Sequence, residues 1–211
     1  TGNRIAVTAG LLNTLDTEEV EAVIGHELGH LKHRDVQVMM FISILPALLY
    51  YIGYSLMLSS AYGRRDDRGG GSSLALIGFL SILLYWVLTL FALYLSRLRE
   101  YYADRHSASI VEDGPRKLSE GLVKIIESTE RTRRQMRGIN HISSLKTLFI
   151  SDPDSSNRDL RELYETNIWT NDREIVMKYL RRKLTIADEI AELFSTHPNI
   201  IKRLRALQEI A

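Results

Sequence analysis

The chain has 211 residues with a net charge of +1, from 27 Lys and Arg against 26 Asp and Glu. This balance argues against a nucleic-acid-binding protein, because such proteins depend on a basic surface to neutralise phosphates. There is no cysteine, so disulfides and thiolate ligands are excluded, and a bound metal would take histidine and carboxylate ligands.

The first stretch of the chain is short and partly β-branched. The segment Ile5-Ala6-Val7-Thr8 precedes Ala9-Gly10, a pattern typical of a strand that ends in a turn. If this strand lies at an exposed edge, it would bind an extended peptide substrate by main-chain pairing. We therefore predict a small β-element with a substrate-binding role.

A helix with metal-ligand spacing follows. Asp16 and Glu19 have the spacing of a capping box and predict a helix that begins near Thr17. Its second half contains His26-Glu27-Leu28-Gly29-His30, so that both imidazoles lie on one face of the helix with Glu27 beside them. Two imidazoles placed in this way can bind one Zn2+, and the carboxylate then lies near a zinc-bound water without being a ligand.

The alternative is that the two histidines are ordinary helix residues. Burial of two imidazoles and a carboxylate without a metal would leave several polar groups without partners. Packing does not require them either, because the same helix already has an apolar stripe, formed by Val20, Val23, Ile24, Leu28 and Leu31.

Two long uncharged stretches come next. No charged residue occurs in residues 36–63 or 69–96, and each stretch exceeds the about 20 residues that cross a hydrocarbon core. They predict a transmembrane hairpin over residues 36–96, with spans at about 37–60 and 73–95, between parts of a second domain at 1–35 and 97–211. A buried core hairpin is the alternative.

The orientation in the membrane follows from the basic residues that flank the outer ends of the hairpin, which are Lys32, Arg34, Arg97, Arg99 and Arg105. The positive-inside rule places these ends, and the metal site, on the cytoplasmic side.

The segment after the second span supplies a third ligand. It reads Ser96-Arg97-Leu98-Arg99-Glu100-Tyr101-Tyr102-Ala103-Asp104. A hairpin returns the chain to the side it left, so Glu100 can complete a His, His, Glu set with the fourth position open to water. Asp104, one turn later, can orient a ligand imidazole by accepting its second N–H. The alternative is that both carboxylates are solvated partners of Arg97 and Arg105.

These motifs, with Val7-Thr8-Ala9-Gly10-Leu11-Leu12, resemble the HtpX family of membrane-embedded zinc metallopeptidases, in a wider group with the CAAX prenyl peptidases. The resemblance implies a mainly α, gluzincin-like peptidase domain with a small β-element, interrupted by the hairpin. It implies one Zn2+ per chain on His26, His30 and Glu100, with Glu27 as general base. Members of the family usually have two further N-terminal spans, and this sequence begins at Thr1 without methionine, so we expect a fragment or processed product.

The remaining sequence is helical at residues 111–134, 174–184 and 186–194, and a polar stretch at 154–171 is a candidate loop over the cleft. Arg131, Arg133, Arg134 and Arg137 form a basic cluster, interpreted as a solvated face near an anionic leaflet rather than a substrate site, and His141 has no partner at ligand spacing. A final helix should bury Ile200, Ile201, Leu204 and Leu207.

His197 lies in Thr196-His197-Pro198, just before that final helix. From the residues alone it is a cap or surface group. The resemblance instead places this segment at the active site, where His197 approaches the metal or stabilises an oxyanion, and where Arg203 holds the segment or the reaction intermediate.

The predicted function is a membrane-bound zinc endopeptidase that hydrolyses misfolded or damaged membrane proteins. Its expected partners are polypeptide substrates and the lipid bilayer, without nucleic acid, and its expected location is the plasma or inner membrane as a multi-pass protein. The alternatives are a CAAX prenyl-type peptidase of the same chemistry and a non-catalytic membrane scaffold with a structural metal. A pore is disfavoured because the spans contain no ionisable residue to line a path.

Overall fold

A computed structural model describes residues 4–62, 70–135 and 172–211. The described residues form helices at Ala9–Thr14 (α1), Thr17–Lys32 (α2), Asp35–Tyr62 (α3), Gly70–Ile110 (α4), Gly114–Gln135 (α5), Asp172–Arg181 (α6), Ile186–Leu193 (α7) and Ile200–Glu209 (α8). The chain divides into two compact units, one made of Thr1–His33 and Arg97–Ala211, the other of Arg34–Ser96. His141, Arg137 and the predicted loop at 154–171 lie outside the described residues.

The predicted β-element is not confirmed. Within the described ranges no residue lies in a strand, and Thr8 instead acts as the N-cap of α1, where its Oγ1 accepts a hydrogen bond from the Leu11 N–H at 3.2 Å. A strand requires a neighbouring extended segment for its main-chain hydrogen bonds, and the described part of the chain provides none. The substrate-binding role of Ile5, Ala6, Val7 and Thr8 therefore stays a prediction.

The larger unit is built around α2 and α5. The capping box at the start of α2 is confirmed, with the Asp16 N–H donating to Glu19 Oε2 at 2.9 Å. The apolar stripe of α5 packs against α2, α6 and α8, which buries the core of this unit. The inward face predicted for the last helix is confirmed, since all four residues predicted for it are buried: Ile200, Ile201, Leu204 and Leu207.

A close contact between α2 and α4 determines the position of the candidate ligand residues. A Cβ added at Gly29 would lie 2.9 Å from the Ala103 Cα, so only glycine permits this approach. The Ser107 hydroxyl donates to the Ala22 carbonyl at 2.6 Å one turn further along. Because Gly29 precedes His30 and Ala103 precedes Asp104, the contact places functional residues of the two helices side by side.

The smaller unit contains two helical segments that are long and apolar enough to cross a membrane. Their best 18-residue windows have mean hydropathies of 1.8 in α3 and 2.4 in α4, and only 11% and 6% of those windows are buried. The core helix of a soluble protein would be mostly buried, whereas a membrane span exposes its apolar surface to lipid. The uncharged part of α4 ends at Ser96, because Arg97 follows.

Candidate metal centre

The helix α2 places two imidazoles next to each other. The Nε2 atoms of His26 and His30 are 3.1 Å apart, and the ring planes are nearly perpendicular at 89°. His26 is buried, while His30 is partly open to solvent. This geometry follows from the spacing of four residues, which puts the two side chains one turn apart on the same face.

Glu100 of α4 brings a carboxylate to the same point. Its Oε2 lies 3.7 Å from His26 Nε2, and its Oε1 lies 3.6 Å from His30 Nε2. One ligand atom from each of the three residues lies within 4.8 Å of the others. Ligand atoms bound tetrahedrally to one zinc at about 2.0–2.1 Å are about 3.3 Å apart, and the observed separations of 3.1, 3.6 and 3.7 Å lie near that value.

The bonding state of Glu100 supports the same conclusion. Glu100 is only 6% exposed, yet its Oε2 accepts no hydrogen bond of good geometry from the described residues, although Arg203 Nη1 is 3.2 Å away. A buried carboxylate oxygen without a hydrogen bond is costly unless another positive group completes its environment. The donor set of two imidazoles and one carboxylate is therefore suited to a divalent metal.

Asp104 and Arg203 lie behind the candidate ligands His26 and Glu100. Asp104 Oδ1 lies 2.9 Å from His26 Nδ1, which leaves His26 Nε2 directed at the other ligand atoms. Arg203 binds the same carboxylate at two points, with Nε to Oδ2 at 2.8 Å and Nη2 to Oδ1 at 2.5 Å. Arg203 is 1% exposed and lies on α8, so the C-terminal helix takes part in the site.

Electrostatics keep both carboxylates ionised. Burial by itself would raise the pKa of Asp104, but the charge of Arg203, the close contact with His26 and the hydrogen bonds from Arg203 outweigh it and lower the pKa to about 2. Burial opposes ionisation of Glu100 in the same way, and contacts with His197, Arg203 and His26 lower its pKa to about 2. The alternative in which the two residues are solvated partners of Arg97 and Arg105 is wrong, since both carboxylates are buried.

The structure brings His197 to this cluster. Its Nδ1 lies 3.3 Å from Glu100 Oε1, and its side chain is 23% exposed. The Ser195 hydroxyl holds the backbone here, donating to the His197 carbonyl at 2.8 Å and accepting from the His197 N–H at 3.2 Å. Asn199 then caps α8 through a hydrogen bond from the Ile201 N–H to its Oδ1 at 2.9 Å.

Arg97 has a structural role that sequence analysis missed. Its Nη1 donates to the carbonyls of Glu192, Leu193 and Ser195 at 2.8, 3.3 and 2.9 Å. Arg97 therefore binds the C-terminal end of α7 and the start of the loop that carries His197. The sequence does contain a pattern that could have indicated this role: Arg97 lies three residues before Glu100, which places both on one face of α4.

Glu27 is half-buried beside the two histidines on α2, and within the described ranges it makes no hydrogen bond or ion pair.

A second group of carboxylates lies around Lys124 of α5 and consists of Asp16, Glu19 and Asp172. That group surrounds the Lys124 ammonium, with contacts of 3.0, 2.8 and 2.9 Å, so it already contains its own cation.

Two histidines separated by one helical turn, with a glutamate between them and a carboxylate from another helix, define the class of HExxH metallopeptidase-type centres. The chain belongs to peptidase family M48, whose model matches residues 1–211.

Curated relatives are similar over almost the whole chain. A protease HtpX homolog of Thermoplasma acidophilum is 38% identical over 99% of this chain and 61% of its own length. The corresponding homolog of Aeropyrum pernix is 36% identical over 100% of this chain and 63% of its own length. The chain thus spans about three-fifths of these relatives. No solved structure matches it. The similarity and the two apolar helices together indicate a membrane protein.

Proposed function

We propose that this chain is the catalytic part of a membrane-bound zinc endopeptidase. The observation that carries the proposal is the convergence of ligand atoms from His26, His30 and Glu100 within 4.8 Å, next to a glutamate that has no other described partner. Membership of a peptidase family supports it.

In this proposal His26, His30 and Glu100 hold the zinc, and Asp104 fixes the ring orientation of His26. When bound, zinc would polarise the scissile carbonyl and lower the pKa of a water toward about 7. Glu27 accepts the proton of the attacking water and delivers it to the leaving amine. Its position between the two ligands on α2 keeps it close to the reacting atoms without making it a ligand.

In this proposal the remaining residues stabilise the reaction intermediate, fix the ligand geometry or position the substrate. His197 lies on the Glu100 side of the cluster, where an imidazole N–H can donate to the developing oxyanion. Arg203 holds the ionised forms of Asp104 and Glu100 and so fixes the ligand geometry. The segment Ile5-Ala6-Val7-Thr8, which is mostly exposed, pairs with the extended main chain of the substrate.

The substrates proposed are misfolded or damaged membrane proteins, cleaved on the cytoplasmic side of the plasma or inner membrane. Main-chain pairing recognises no particular side chain, so it tolerates the varied sequences that quality control requires. The charge distribution around the uncharged stretches supports the cytoplasmic orientation.

The test is the Glu27→Gln variant, with Glu21→Gln on the exposed side of the same helix as its matched control. We expect Glu27→Gln to keep one zinc per chain and to lose casein cleavage by a factor of about 100 or more, because general-base catalysis contributes on that scale. Glu21→Gln should bind zinc and cleave casein as the wild type does, and a chelator should abolish cleavage by the wild type and by Glu21→Gln. Metal analysis and casein degradation are measured on the same preparations.

Full cleavage by Glu27→Gln would refute the role of this residue. Stoichiometric zinc with no cleavage by any variant, and no exchangeable fourth ligand, would instead favour a scaffold with a structural metal. Cleavage restricted to prenylated peptides would favour the CAAX prenyl-type alternative.

A further inference from the structure

The helix α7 exposes its apolar face and turns its polar face inward, the reverse of a surface helix in a soluble protein. Its large apolar side chains point outward in the described structure, with exposed fractions of 53% to 77%, and they are Ile186, Ile190, Leu193 and the C-cap Phe194. The spacing of these residues places them on one stripe of the helix. A soluble protein normally buries such a stripe, and an exposed one indicates a contact with another apolar phase or molecule.

The inward face of α7 is polar, and its side chains form hydrogen bonds and an ion pair. Asp188 is buried and accepts hydrogen bonds from the Thr185 N–H at 2.9 Å and the Thr185 hydroxyl at 2.7 Å. Glu192 accepts from the Asn199 N–H at 3.2 Å and forms an ion pair with Lys202. The Thr185 bonds are the cap of α7 itself, whereas the Glu192 bonds join α7 to α8, so rolling the apolar stripe inward would break the Glu192 bonds.

Two observations indicate what covers the stripe. Arg97 is the first charged residue after the uncharged residues 69–96, and it binds the Glu192 and Leu193 carbonyls at the end of α7. The run Arg181-Arg182-Lys183 begins at the last residue of α6 and ends three residues before α7, and its first and third residues are exposed. The helix itself has no basic residue, so the positive charge beside the stripe comes from this run. An apolar stripe flanked by basic residues is typical of helices that lie in the interface of an anionic bilayer.

We propose that α7 is an interfacial helix, with its apolar stripe in the boundary between headgroups and acyl chains and with Arg181 and Lys183 against anionic headgroups. The inference rests on the membrane location in the proposed function, and it does not depend on peptidase activity. Phe194 precedes His197 by three residues, so an interfacial α7 would hold the loop of the candidate active site next to the bilayer, where membrane-protein substrates emerge.

The test uses the natural lack of cysteine. Ile190→Cys in the full chain is labelled with the fluorophore NBD and reconstituted in vesicles of phosphatidylcholine and phosphatidylglycerol. A second label at Glu209→Cys, on the exposed end of α8, is the water-facing reference. We expect doxyl groups on the lipid acyl chains to quench the label at position 190, with blue-shifted emission and little quenching by aqueous iodide. The pattern should be reversed at position 209.

Each other result overturns the proposal. Equal iodide quenching at positions 190 and 209 would mean that the stripe faces water. Protection from both quenchers would mean that protein covers the stripe, whether another part of this chain, a second copy or a bound substrate.

The contact with anionic headgroups is tested by the double variant Arg181→Gln with Lys183→Gln in the labelled chain. This variant should lose the extra lipid quenching that phosphatidylglycerol gives over pure phosphatidylcholine. Retention of that increment would refute the headgroup contact. Neither readout depends on catalysis, so failure here is distinguishable from failure of the peptidase assignment.

Discussion

Asp104 and Arg203, which are 99 residues apart in the sequence, form a buried ion pair joined at two points. The carboxylate of this pair also lies 2.9 Å from His26 Nδ1. The pair therefore connects α8 to α2, the helix that carries His26 and His30. Several properties of the candidate centre should depend on this connection.

Asp104→Asn should weaken zinc binding by about 10- to 100-fold, the usual cost of losing a carboxylate behind a ligating imidazole. An amide keeps the shape but removes the negative charge that orients His26 and neutralises Arg203. Metal affinity is measured by chelator competition, with the exposed Glu112→Gln as control. Unchanged affinity would show that Asp104 has no part in metal binding.

Arg203→Met should destabilise the protein by about 3–5 kcal/mol, because it leaves two buried carboxylates without their counter-charge. Arg203→Lys should recover only part of the loss, since an ammonium cannot bind a carboxylate at two points in the same geometry. Denaturant unfolding is measured beside Arg205→Met, an exposed position on the same helix, for which we expect a loss of about 1 kcal/mol or less. A similar cost at both positions would contradict the proposed contribution of the pair.

Arg97→Gln should lower kcat while leaving zinc affinity nearly unchanged. Its guanidinium binds the carbonyls at the start of the loop that carries His197, and it contacts none of the proposed ligands in the bonds described. We expect a loss of about 10-fold, since misplacement of a distant catalytic group by about 1 Å can cost as much or more. Arg105→Gln, exposed on the same helix, is the control. A parallel loss of zinc would show instead that Arg97 maintains the metal centre itself.

Gly53→Val should disrupt the contact between α3 and the first part of α4. A Cβ at Gly53 would lie 2.9 Å from the Gly78 carbonyl oxygen, and the reciprocal contact from Gly78 is equally short. Overpacking at such a contact costs about 1–3 kcal/mol. Resistance to unfolding in detergent is compared with Ser55→Val, an exposed position on the same helix. Equal stability of the two variants would rule out a close helix crossing at these glycines.

Local patterns predicted the parts of this chain whose interactions are local. The capping box of α2, the apolar stripe of the last helix and the adjacency of the His26 and His30 rings all depend on contacts within a few residues. The predicted strand at residues 5–8 is not confirmed, because strand formation depends on a pairing partner that propensity does not supply.

The sequence by itself determined the adjacency of the two imidazoles, since a spacing of four residues on a helix places them on one face whatever the rest of the chain does. The amount of uncharged sequence likewise determined the two candidate spans. Only the tertiary structure decided how Glu100, Asp104 and the buried cation Arg203 meet at these imidazoles. The contacts of Asp104 with Arg203, of Arg97 with the end of α7, and of His197 with Glu100 join residues about 95 or more apart, and no local pattern encodes such contacts.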